Sequence, residues 1–84
     1  MRFVYGYAMR DEPDLVRAVA PSHVAYWHQL GLKGYLGGPF ADRSGGLITF
    51  ETGSSSKAER LVADDPFVRD DLLEHRWLNE WVVE

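Results

Sequence analysis

Few residues in this chain have side chains and spacings suited to chemistry. In "LVADDPFVRD", residues 61–70, two carboxylates, Asp64 and Asp65, stand directly before Pro66 and Phe67. An acid that ends a helix faces the negative end of the helix dipole, a poor placement unless it meets a partner. His23 is the candidate partner. A carboxylate beside an imidazole fixes its tautomer, orients the ring and stabilises the imidazolium, which together make a general base. Asp65 abuts Pro66, which restricts it to extended backbone and gives it a defined direction, whereas Asp64 still belongs to the helix end. Asp65 is therefore assigned to the pair. The plain alternative is a histidine that bonds locally in a helix's first turn, with two solvated turn acids.

The remaining candidates are weaker. His28 lies five residues after His23, about 140° round a helix, which breaks the i, i+4 geometry that lets two histidines share a metal. With no cysteine in the chain and His75 on a strand, neither a metal site nor a disulfide is expected. "LKGYLGGPFADRSGG" lacks the dinucleotide and Walker fingerprints, so no nucleotide cofactor is expected. Its glycines suit a tight turn beside a pocket, with Asp42 a secondary site candidate. No serine sits in a G-x-S-x-G elbow, which disfavours acyl-enzyme chemistry. The aromatic set suits core and interface, with Tyr5, Tyr7 and Phe67 the candidates to line a cavity for a flat cyclic ligand.

At 84 residues the chain is expected to form one domain, 1–84. Net charge is −4, from 9 Lys and Arg against 13 Asp and Glu, which disfavours a nucleic-acid partner because such binding neutralises phosphates. The amino terminus does not read as a signal peptide, and no stretch approaches the ~20 apolar residues that span a bilayer. A cytoplasmic protein without a membrane partner is the expectation.

These residues must be positioned by a small set of elements. "RFVYGYAM" places Phe3, Tyr5, Tyr7 and Met9 on one side of a strand and Val4, Gly6 and Ala8 on the other. Val24, Trp27 and Leu30 recur at helical spacing, and Pro21 suits a first helical turn, so the main helix is expected to start near Pro21 with 11–20 as a loop or a loop holding a short helical turn. A strand through Tyr35 and Leu36, a turn, and a strand over about 47–51 should pair as an antiparallel hairpin. Ala58, Leu61 and Val62 mark a second helix that stops at Pro66. "LLEHRWLNEWVVE" alternates as a last strand running almost to the chain end. The order β-α-β-β-α-β predicts an α+β, ferredoxin-like fold with a four-stranded antiparallel sheet and both helices on one face. Apolar residues on both sides of the terminal strands leave the other face to be covered, so a homodimer with two sheets face to face is expected.

In sequence the chain resembles the YciI-like (YCII-related) family of small dimeric α+β barrel proteins. The likeness runs through "RFVYGYA", "PSHVAYWHQLG", "LGGPFAD", "GGLITFE", "DDPF" and "RWLNEWVV". It implies a ferredoxin-like protomer, a homodimer and a pocket with a His and Asp dyad. The His falls on His23, the Asp on Asp65, the family's GP turn on Gly38 and Pro39, and its following acid on Asp42. Many relatives carry an Arg two or three residues before the His. Here Ala20 and Pro21 occupy those positions, so if that Arg binds an anionic substrate in the relatives, this chain must use another cation or a different ligand.

The resulting expectation is a cofactor-independent enzyme of isomerase or lyase type, using His23 and Asp65 to move a proton on a small cyclic or aromatic metabolite. The rival expectation is a non-catalytic, small-ligand-binding or accessory dimeric module.

Overall fold

The computed structural model describes residues 1–84. In chain order the elements are β1 (Arg2–Met9), α1 (Pro13–Gln29), β2 (Leu36–Pro39), β3 (Gly45–Glu51), α2 (Ser55–Ala63), α3 (Pro66–Arg69) and β4 (Leu73–Glu80). The strands form one antiparallel sheet in the order β2-β3-β1-β4. This is the ferredoxin-like α+β arrangement.

Period-2 alternation in the two central strands builds the core. Phe3 pairs with Phe50 and Tyr5 with Ile48 across β1 and β3, while Leu78 of β4 pairs with Tyr5 from the other side. These side chains meet Trp27 of α1, Ala58 and Val62 of α2, and Phe67 of α3 in one buried cluster. On the opposite face the register aligns Val4 with Thr49 and Asn79, and Gly6 with Leu47 and Trp77. A side chain at Gly6 would overlap the Trp77 indole, so the glycine is what lets that ring lie across β1. Trp77 stays 45% exposed, and Leu36 and Leu47 are exposed with it.

Four element boundaries differ from the sequence expectation. The main helix starts at Pro13, not near Pro21, and runs for 17 residues with Pro21 inside it. Pro13 takes the first-turn position that the sequence reading assigned to Pro21. The inward stripe is Val16, Val19, Ala20, His23, Tyr26, Trp27 and Leu30, a continuous i, i+3, i+4 pattern. Pro21 lies on the exposed side, so the Arg17 carbonyl deprived of its helical donor can bond to solvent. His23 consequently occupies the helix's middle, within its core-facing stripe.

The second departure concerns Pro66. It ends nothing; α2 is already capped at Asp64, and Pro66 opens the short helix α3 with Asp65 as its N-cap. Asp followed by Pro is a favourable N-cap and N1 pair. In the third, Gly38 and Pro39 lie within β2, the turn is formed by residues 40–44, and β3 begins at Gly45. Proline is tolerated there because β2 is an edge strand. The last strand also stops at Glu80, short of the chain end. No helix is long and apolar enough to cross a membrane.

Candidate active site

His23 and Asp65 meet. Nδ1 of His23 lies 2.8 Å from Oδ1 of Asp65, with His23 7% exposed and Asp65 fully buried. α1 brings the imidazole in on its apolar stripe, and the α2–α3 junction brings the carboxylate, which also accepts the Phe67 backbone N–H at 2.9 Å as a helix cap. The other oxygen, Oδ2, accepts from Tyr5 Oη at 3.2 Å and from Trp27 Nε1 at 3.0 Å. A carboxylate that already accepts from Tyr5, Trp27 and the Phe67 N–H is an acceptor toward the imidazole as well, so Nδ1 is the His23 nitrogen that carries a hydrogen toward Asp65.

Nε2 points toward Tyr7 Oη, 3.4 Å away. The Phe67 ring stacks on the imidazole with centroids 4.2 Å apart, closing one face of it. Burial, then the nearby Asp65 charge, push the Tyr7 hydroxyl up to about 12 and so keep it protonated. The same two influences raise Tyr5 further, with its hydrogen bond to Asp65 adding to them. Each phenol is therefore a donor at neutral pH.

A cavity of about 290 Å³ opens beside this pair, lined by His23, Tyr7 and Phe67 together with Gly38, Pro39 and Arg43 among others. Five of the residues singled out from sequence thus share one wall: His23, Tyr7, Gly38, Pro39 and Phe67. Asp65 stands directly behind His23. Two others lie elsewhere. Tyr5 is fully buried behind the site, bonded to Asp65, and does not line the cavity. Asp42 is exposed in the β2–β3 turn, where its Oδ1 accepts from Ser44 Oγ at 2.7 Å and from Ser44 N at 3.0 Å. Those two bonds hold its carboxyl below the usual carboxylate range.

Sequence reasoning passed over His28, Tyr35 and Arg43, which also line the cavity. His28 follows His23 on α1, at a separation that was weighed only for metal sharing. Arg43 sits in the turn at φ 65°, a left-handed conformation unusual for a residue with a side chain. Nowhere do three or more His, Asp or Glu side chains gather as a metal site would require.

A cavity of about 290 Å³ whose lining is partly apolar and includes two imidazoles and two phenols can hold a single small ring and exchange a proton with it. Among solved structures, the chain is similar to 5-chloro-2-hydroxyhydroquinone dehydrochlorinase from Burkholderia phenoliruptrix AC1100, in complex with 2,5-dihydroxybenzoquinone. The TM-score is 0.84 at 22% identity, covering 98% of this chain and 94% of that one. That likeness is one of fold. Comparison with curated proteins returns no match. A profile of the YCII-related domain matches residues 1–82, and with so nearly complete a match the chain belongs to the YCII-related domain family.

Proposed function

We propose that this protein is a cofactor-independent acid–base enzyme of lyase or isomerase type acting on a small cyclic or aromatic compound. The observation that carries the reading is the His23–Asp65 pair at 2.8 Å with its second imidazole nitrogen against the Tyr7 hydroxyl, His23 and Tyr7 both lining the cavity. Nε2 takes a proton from an acidic O–H or ring C–H of the bound compound. The electron pair left behind moves into the ring; in the lyase version it forms a new π bond as the leaving group departs with the pair of its own bond to carbon. Asp65 stabilises the imidazolium that results, and the proton then passes from Nε2 to another ring atom in the isomerase version or to solvent in the lyase version. The similarly folded dehydrochlorinase, which by its name removes HCl from a ring compound, supports the choice of substrate class.

Chloride release from 5-chloro-2-hydroxyhydroquinone and related chlorinated hydroxyarenes, followed alongside deuterium uptake into small cyclic enols in heavy water, tests the reading. Activity is expected in the wild-type protein and its loss in His23→Ala, with circular dichroism unchanged. Undiminished activity in that variant would overturn it.

A binding module is the second reading, favoured by one observation: three of the four donors on Asp65 come from Tyr5, Trp27 and the Phe67 backbone rather than from His23. Such a carboxylate has a structural reason to be buried even without catalysis. Ligand binding with no proton exchange on any compound would select this reading.

The proposal includes a homodimer. Leu36, Leu47 and Trp77 are exposed on a sheet whose helices cover only the other face, and a second sheet packed there would remove them from water.

A further inference from the structure

The cavity lining is unusual for a chain of net charge −4: it contains no Asp or Glu, but it contains Arg43, two histidines and two tyrosines. The cation is Arg43. It makes no ion pair, not even with Asp11 or Glu74, which share the adjoining hollow with it, whereas Arg10 and Arg17 of that hollow are held by Asp71 at 3.1 Å and Asp14 at 2.6 Å. Its guanidinium is therefore free to meet a ligand.

The backbone beneath Arg43 is built to present it. Arg43 N donates to Phe40 O at 2.9 Å, Phe40 N donates to Gly45 O at 2.8 Å, and Asp42 grips Ser44 through both its backbone and hydroxyl. These bonds hold Arg43 at φ 65°, where glycine would be unstrained. The surrounding segment contains glycines at 37, 38, 45 and 46, yet the left-handed position carries the longest cation available. A strained residue in a cavity wall, where an unstrained one would close the turn as well, points to a role for its side chain.

We infer that Arg43 selects the charge of the ligand: the cavity takes a small planar ring bearing an anionic oxygen, carboxylate or phenolate, with Arg43 as its counter-ion. The inference rests on reading this cavity as the ligand site, and it gives Asp42 a positioning role through the turn. An anionic oxygen at Arg43 leaves the rest of the ring among Tyr7, Phe67 and the imidazole of His23. Arginine suits this because its planar fork can meet two oxygens at once and it stays charged at every working pH.

Matched probe pairs test it by NMR titration of the full chain: benzoate against benzamide, and 4-nitrophenolate, well above its pKa, against 4-nitroanisole. The wild-type protein is expected to bind at least one anion about tenfold more tightly than its neutral partner, with the preference shrinking as salt is added. The pair that shows the preference identifies the oxygen as carboxylate or phenolate. Arg43→Gly and Arg43→Met are expected to lose that tenfold while binding the neutral rings as before, and Arg43→Lys to keep part of it. The melting temperature of Arg43→Gly should hold or rise, because the left-handed turn is relieved. Equal affinity for charged and neutral rings, or unchanged anion affinity in the Arg43→Gly and Arg43→Met variants, overturns the inference alone. Failure of all four rings to bind overturns it together with the cavity as ligand site. Retained anion selection in a protein that moves no proton overturns only the catalytic reading.

Discussion

Asp65 Oδ1 lies 2.8 Å from His23 Nδ1 across a sequence separation of 42 residues, and the same carboxylate caps α3 through the Phe67 N–H. One side chain thus both shapes the backbone beside the cavity and orients the imidazole within it. Catalysis and stability should respond together when it is altered.

In Asp65→Asn an amide N–H₂ replaces one acceptor oxygen and must face either Trp27 Nε1 and Tyr5 Oη or His23 and the Phe67 N–H. Either way a buried donor loses its acceptor. The expected loss is about 2–4 kcal/mol of stability, read by urea unfolding, since it combines bonds to a charged group with an unsatisfied donor. Turnover should fall as well, because the neutral amide does not stabilise an imidazolium. A variant as stable as the wild type would show that the four contacts do not hold in solution.

All four tyrosines have hydroxyls whose ionisation is shifted upward, each by burial first and then by nearby acids. Tyr7 and Tyr26 rise from 10.0 to about 12. A group whose folded pKa exceeds its unfolded value favours the fold fully below the unfolded value and ceases to as pH climbs through the folded one. Stability should therefore be level up to about pH 10 and fall between about 10 and 12. Tyrosinate absorbance and the loss of far-ultraviolet dichroism should rise together; a tyrosine that ionises near 10 in a folded protein would contradict the burial described here.

Pro21→Ala restores the helical donor to the Arg17 carbonyl on the exposed side of α1. A gain of about 1–3 kcal/mol is expected in denaturant unfolding. A loss instead would show that the local distortion at Pro21 is needed to aim His23, two residues on.

Leu47→Glu places a charge at the centre of the exposed sheet face, beside Gly6 and Trp77. Light scattering is expected to report a dimer for the wild-type chain and a monomer for the variant, since a desolvated carboxylate opposes sheet-on-sheet packing. A monomeric wild-type protein would remove the dimer from the proposal.

The order of the four strands and two longer helices, the antiparallel sheet and the identity of the His23–Asp65 pair were legible in the residues because they depend on local periodicity and on a recognisable order of short segments, whereas the short helix α3 was not. Period-2 runs announced β1 and β4, and Val24, Trp27 and Leu30 announced α1. The start of α1 was misplaced because Pro21 was weighed as a helix breaker without knowing which side of the helix it would occupy. Had Val16, Val19 and Ala20 been joined to His23, the stripe itself would have marked His23 as a core position. Pro66 is likewise ambiguous in sequence, since a proline can follow a helix's end and Asp65 followed by Pro66 is equally a start.

What sequence determined by itself, then, is which chemistry was available and in what order the four strands and two longer helices follow: local patterns carry that information residue by residue. Only the tertiary structure decided that Tyr5 supports Asp65 from behind instead of facing the cavity, that Asp42 braces a turn, and that Arg43 reaches the cavity wall. Those outcomes depend on distances between elements far apart in the chain, fixed by how α1 packs on β1 and how the β2–β3 turn folds beside it, and no one-dimensional spacing encodes them.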